Sequence, residues 1–145
     1  MQNTYEIKPI ESNSEIQQCL EVALVLRPHL NKDRWSDIIA EMVSNEKYTL
    51  MGIFDHEKVI AFIGYRIMTT LHSGNMIYID DLCTLESYRG RGLASQLLSH
   101  VRTVAEYKNM DSITLDTGFD NHTAQKLYFK NGFKLSAVHL HSYLK

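Results

Sequence analysis

Residues Tyr88 to Ser95 read "YRGRGLAS", and the interpretation of this stretch governs how the rest of the chain is read. Two glycines and two arginines stand directly after an apolar run and directly before a helical pattern. A strand, a glycine turn and a helix start in succession gather backbone N–H groups around one point. The first turn of a helix leaves four amides without intrahelical partners, and the helix dipole adds partial positive charge there. Gly90 and Gly92 carry no Cβ to keep an anion away from those amides, and Arg89 and Arg91 add cationic side chains. The combination suits a phosphate or pyrophosphate. It is not a Walker A loop, since no Lys-Ser/Thr follows the second glycine, and it does not fit the GxGxxG fingerprint. Taken alone, the stretch is also compatible with a glycine turn whose arginines are merely solvated.

Working outward, Leu93, Ala94, Leu97, Leu98, Val101, Val104 and Ala105 recur at about 3.6-residue spacing, the strongest helix signal in the chain. Upstream, Met76 to Leu85 reads as a strand, preceded by a turn at "HSGN" (His72 to Asn75). Two further strands, Tyr48 to Phe54 and Val59 to Met68, flank the short polar connection "DHEK" and form a hairpin. Nearer the start, Tyr5 to Ile10 alternates as a strand. From Ser14 onward a helix runs through Ile16, Cys19, Leu20, Ala23 and Leu24 and ends before Pro28. Trp35, Ile38, Ile39, Met42 and Val43 give a second helix with Asp33 as its expected cap. Downstream, Ile113 to Thr117 is a short strand and Asn121 to Asn131 a helix, with Gly132 placed for a left-handed cap. Phe133 to Val138 and His139 to Leu144 are expected as two closing strands. The predicted order is β-α-α-β-β-β-α-β-α-β-β: an α/β fold with early antiparallel hairpins and a late βαβ crossover, a mixed sheet rather than a doubly wound one.

Composition narrows the function classes. With 145 residues, 44% hydrophobic and 22% charged, the chain is expected to be one domain, 1–145, with a core that needs no disulfide or metal. A net charge of −2 argues against a nucleic-acid partner. No apolar run approaches the roughly 18 residues of a membrane span, and "MQNTYEIKPI" has no signal-type apolar segment, so a cytoplasmic protein is expected. Cys19 and Cys83 lack CxxC spacing and are read as reduced, buried thiols. The seven histidines form no metal-ligand pattern, so no metal is expected.

Arg89-x-x-Gly92-x-Ala94, between strand and helix, resembles the pyrophosphate loop of the GNAT N-acetyltransferases, whose pattern is Arg/Gln-x-x-Gly-x-Gly/Ala. "NHTAQKLYFKNGF", Asn121 to Phe133, is similar to the same family's second signature: an Asn, then Ala, then Leu-Tyr, then Lys-x-Gly-Phe. The two motifs and the strand order together cover Tyr5 to Phe133. The resemblance implies the GNAT fold, a mixed, mostly antiparallel central sheet with a V-shaped splay, and acetyl-CoA as co-substrate. It places the pyrophosphate on the amides of Arg91 to Ser95, within a cofactor-binding loop of Arg89, Gly90, Arg91, Gly92, Leu93, Ala94 and Ser95. The pantetheine arm would pair along Leu82, Cys83 and Thr84, with the Leu82 amide polarising the thioester carbonyl as an oxyanion-type donor. Asn121 would meet the pantetheine or a water, and Lys130 either a phosphate or solvent. Tyr128 falls where the family places a tyrosine that donates to the departing CoA sulfur, although it also shares a helical face with Ala124 and Leu127.

An attacking amine must lose a proton, and "IDDLCT" offers Asp80 and Asp81 within an otherwise apolar strand, where ionised groups are costly. Strand alternation would turn only one of them toward a cleft, and a bulge would upset that choice. By its distance from the loop arginine, Asp80 aligns with a glutamate that some family members set near the substrate amine. Asp81 remains the alternative base, and a structural Asp paired with an arginine such as Arg66 remains open for either. Asp116 is a candidate for attracting a cationic amine or a plain turn carboxylate; His139 and His141 share one strand face. With a protein acceptor the loop "LRPHLNKDRW" would be a peptide-facing rim; with its Arg27, His29 and Arg34 it could equally meet an anionic group on a small molecule. The expected reaction is direct acetyl transfer in a ternary complex to a small-molecule amine, without an acetyl-cysteine. A protein acceptor or a non-catalytic acetyl-CoA sensor would share the motifs, and a homodimer is compatible with them.

Overall fold

The computed structural model describes Tyr5 to Lys145, which fall into two compact units, one through Leu115 and one from Asp116 to Lys145. The first unit holds strand β1 (Glu6–Pro9), helices α1 (Asn13–Leu26) and α2 (Trp35–Asn45), strands β2 (Tyr48–Asp55), β3 (Lys58–Thr70) and β4 (Gly74–Thr84), helix α3 (Leu93–Tyr107) and strand β5 (Ser112–Leu115). The five strands form one sheet in the order β1-β2-β3-β4-β5, antiparallel throughout except for the parallel β4–β5 pair that α3 connects. This is the expected mixed α/β sheet with its late crossover.

Local chemistry explains the element boundaries. Ser12 caps α1 by accepting from the Glu15 N–H at 3.1 Å, while the Glu15 carboxylate accepts from the Ser12 N–H at 3.0 Å, a reciprocal capping box. The helix stops at Leu26, before Pro28, as the proline requires. Asp33 does not cap α2. Asn31 instead accepts from the Asp33 N–H and caps a short 3-10 turn, Lys32–Arg34, that feeds into the helix. Trp35 is buried, and its indole N–H donates to the Ile16 carbonyl at 2.7 Å, tying α2 to α1.

The core lies on both faces of β2–β4. Ile53, Phe54, Val59, Ile60, Ile63 and Ile77 are fully buried with Leu97 and Val101 of α3 and Val22 of α1. A sheet covered on both faces reads as near-continuous apolar runs, as Val59 to Ile63 does.

In the second unit, α4 (His122–Lys130) ends at Asn131 with Gly132 at φ +90°. The Phe133 N–H donates to the Tyr128 carbonyl at 3.0 Å and the Gly132 N–H to the Phe129 carbonyl at 3.2 Å, a Schellman motif. The two closing strands do not form. Residues 133–144 carry no strand, and Leu135, Val138, Leu140, Tyr143 and Leu144 are exposed. A strand exists through ladder bonds to a neighbour, and alternation cannot supply one. Alternation does survive in the side chains: His139 and His141 rings lie 6.2 Å apart, and His141 stacks on Tyr143 at 4.1 Å. Among the described residues, no helix is long and apolar enough to cross a membrane.

Candidate active site

The site grows out of the far half of β4. Met76 to Ile79 pair with Ser112 to Leu115 of β5, and there the pairing ends. On the other side, β4 stays paired with β3 as far as Thr84, opposite Ala61. The Leu85 N–H donates to the Ile60 carbonyl at 2.9 Å, toward β3. Backbone groups alternate sides along a strand, so Leu82 and Thr84 turn their N–H and C=O groups to the open edge. Among the described residues, this stretch of β4 has no strand partner on that side.

The loop beyond is held open by its backbone. Gly90 and Gly92 have φ of +80° and +76°, and a Cβ built on either meets nothing within 4 Å. Gly92 is the N-cap of α3 in a left-handed conformation, and no side chain caps the helix. First-turn amides and helix dipole therefore face accessible space, as an anion requires. The arginines are occupied elsewhere. Arg89 Nε donates to the Thr84 carbonyl at 3.4 Å. Arg91 donates to the Tyr5 hydroxyl and the Ser87 carbonyl, and lies 5.0 Å over the Tyr88 ring. The Tyr88 hydroxyl in turn donates to Asp55 at 2.8 Å, which holds the loop on the β2–β3 hairpin.

Asp80 and Asp81 stand where the register shifts. Gly64 faces Asp81 and Tyr65 faces Ile79, so Asp80 is the extra residue of a bulge. The consequence is that both carboxylates lie on one face. Arg66 and Tyr48 are register partners, hence on the same side, and Arg66 binds Asp80 while Tyr48 binds Asp81. Arg66 Nε donates to both Asp80 oxygens, at 3.0 and 3.2 Å, and its other end reaches Glu46 at 3.5 Å. The Tyr48 hydroxyl donates to Asp81 Oδ2 at 2.7 Å. Arg27 donates to Asp81 Oδ1 through Nε at 3.3 Å and Nη2 at 3.1 Å, and to the Asp80 carbonyl at 3.1 Å.

Burial pushes the Asp80 carboxyl above the usual aspartate value. The Arg66 hydrogen bond and charge oppose that shift without cancelling it, and the Asp81 charge adds to it. Burial and the nearby Asp81 charge also hold the Tyr48 phenol well above its ordinary value, so it remains a donor. Both thiols are raised, chiefly by burial, so nucleophilic thiolate is scarce at neutral pH.

The architecture and the glycine loop agree with what the comparisons return. Residues 13–133 match the acetyltransferase (GNAT) family model. The chain belongs to the GNAT family. As a member it is an acetyl-CoA-dependent acyltransferase, with acetyl-CoA as its co-substrate. An uncharacterized N-acetyltransferase of Bacillus subtilis (strain 168), YhdJ, is 23% identical over 132 residues, covering 90% of this chain and 93% of that one. Among solved structures, the aminoglycoside N-acetyltransferase AAC(6')-Iy in complex with CoA superposes with a TM-score of 0.86 at 17% identity, covering 100% of this chain and 98% of that one. A transcriptional regulator from Bacillus halodurans C-125 gives 0.86 at 18%, covering 97% and 100%. At these identities the structural likeness speaks for the fold.

The candidate residues of the second unit are arranged by local bonds. Asn121 caps α4, its Oδ1 accepting from the Ala124 N–H at 3.1 Å. Tyr128 is half-buried, and its ring meets Phe133 edge to face, 5.9 Å between centroids, which is the apolar contact that accompanies a Schellman cap. Lys130 is exposed in the last turn. Asp116 pairs with His139 at 3.1 Å. Of the acceptor-rim residues, Arg27 is committed to the acidic bulge, whereas His29 is exposed on the α1–α2 connection. Sequence reading missed Tyr48 and Gly64. A glycine inside a long apolar strand was the available signal.

Proposed function

We propose that this GNAT protein moves the acetyl group of acetyl-CoA to the primary amine of a small molecule, by direct attack in a ternary complex. One observation carries the reading: a bulge sets two charge-paired carboxylates beside a strand edge that ends in a glycine-lined helix start. In this reading the loop amides of residues 91–95 hold the pyrophosphate. The open edge at Leu82 to Thr84 takes the pantetheine arm as an added strand, and the Leu82 N–H polarises the thioester carbonyl.

The acceptor nitrogen attacks that carbonyl carbon, its proton passes to Asp80 directly or through a water, and the carbon–sulfur bond breaks. Asp80 suits proton acceptance because its raised value brings it nearer the operating pH than an exposed aspartate. Asp81, fixed by Arg27 and Tyr48, orients the acceptor side. Tyr128 protonates the departing thiolate; full turnover in Tyr128→Phe would remove that role. The small-molecule acceptor is supported by the aminoglycoside acetyltransferase sharing the fold.

Free-thiol release from acetyl-CoA, with mass detection of the acetylated product, tests the reading across a panel of aminoglycosides, amino sugars, polyamines and aromatic amines. Acetylation of one class is expected. A protein that binds acetyl-CoA but acetylates no member of the panel would overturn it.

A further inference from the structure

The strand β3 carries a glycine, Gly64, whose backbone has no need of one. Its φ is not positive, and the chain's left-handed glycines are Gly74, Gly90, Gly92 and Gly132. A glycine inside a buried strand costs roughly 0.5–1 kcal/mol relative to alanine. Its use lies in the space above it. A Cβ at Gly64 would come within 1.7 Å of the Tyr48 hydroxyl oxygen, 2.3 Å of its Cζ and 2.8 Å of its Cε1. The Tyr48 ring, starting from β2, therefore crosses β3 at Gly64 to reach Asp81, which is Gly64's register partner on β4. Tyr48 is itself only 4% exposed, and sinking a phenol that deep is costly unless its hydroxyl is bonded. The fold thus bears two costs to bring one O–H to one carboxylate oxygen.

We propose that Tyr48 is the positioning residue for the Asp81 carboxylate, passed across β3 by the absence of a side chain at Gly64. The proposal rests on the acetyl-transfer role read above for the acidic bulge. Asp81 meets Arg27 from the end of α1, Tyr48 from β2, and its neighbour Asp80 on β4; Cys19 of α1 and Arg66 of β3, with Glu46 behind it, complete the charged and titratable surroundings. Among the described residues Oδ1 is held only by Arg27, whose side chain is 45% exposed. Oδ2 is held by the buried Tyr48. Tyr48 is therefore the buried half of the clamp, and without it the carboxylate is held by a half-exposed arginine alone. Misplacement of a group beside the reacting atoms by about 1 Å can cost up to about 100-fold in rate.

Tyr48→Phe keeps the ring and removes only the donor. With the fastest amine of the panel, and with rates referred to sites counted by acetyl-CoA titration, Tyr48→Phe is expected to lower kcat about tenfold. The KM for acetyl-CoA should stay unchanged. In an Asp81→Asn background the same change should cost less than about twofold, because the effect runs through Asp81. A kcat equal to wild type in Tyr48→Phe, with Asp81→Asn impaired, overturns the positioning role and leaves the reading of the bulge standing. A further tenfold loss in the Asp81→Asn background also overturns it, as a general structural effect would do. Full turnover in Asp81→Asn itself removes the reading beneath.

Discussion

The glycine loop at residues 88–95 and the acidic bulge at Asp80 and Asp81 stand at opposite ends of one open stretch of β4, and they are built by opposite means. The loop works by subtraction: two residues without side chains, both with positive φ, leave room beside backbone donors. The bulge works by accumulation. Two carboxylates, two arginines and a tyrosine from four separate parts of the fold share one sheet face. A backbone site depends on a few neighbouring residues. A side-chain site depends on register across three strands, so a change in any of them is felt by the others.

That contrast can be broken first at Gly92. Valine there adds a branched side chain at φ +76°, a backbone strain of about 1–2 kcal/mol, and fills the space over the amides. Losing two charge-assisted bonds to an anion corresponds to a loss on the order of 100-fold in affinity. Calorimetry should show acetyl-CoA binding falling at least that far while the chain still melts cooperatively; normal binding would dismantle the cradle.

Next in size, Asp80→Asn should lower turnover by about 100-fold, within the range of a lost general base, with acetyl-CoA affinity intact. Steady-state kinetics with separate CoA titration checks this.

The pH profile sharpens the same side of the comparison. Asp80 must be ionised to accept a proton, so its titration forms an acid limb, placed above the ordinary aspartate range because burial raises it. Arg66 opposes the rise, so Arg66→Gln should move the limb to higher pH, and Asp80→Asn should abolish it. A limb that moved to lower pH would show that Arg66 is not the controlling charge. The sign carries over to stability. A carboxyl raised in the folded state favours folding fully below its unfolded value, and that contribution is lost as pH rises through the raised one.

The smallest effect is expected at Arg91. Its guanidinium is engaged with Tyr5, Ser87 and the Tyr88 ring, so Arg91→Ala should weaken acetyl-CoA only about threefold, the scale of an exposed ion pair. A loss as large as that of Gly92→Val would shift the cradle from backbone to side chains.

Much of this was legible in the chain because it is local. The α3 periodicity, the stop before Pro28, the glycine loop and the Gly132 cap each depend on residues within a few positions of one another, and each formed. The cap of the second helix was misread, since Asp33 and Asn31 compete for the same turn and only the backbone path selects between them. The two closing strands were read from alternation, which describes one face of a segment and says nothing of a ladder partner.

By itself, then, the sequence determined the β-α-α-β-β-β-α-β-α succession, the glycine loop and the family signatures, because backbone conformation and amphipathic spacing are written in consecutive residues. Only the tertiary structure decided that Asp80 and Asp81 share a face, that Arg27 is tied to the bulge, and that the Tyr48 ring lies where a Gly64 side chain would be. Those facts follow from one extra residue in β4 and from strand register, which brings together residues 48, 64 and 81. No reading along the chain contains that register, because it is set by pairing between strands.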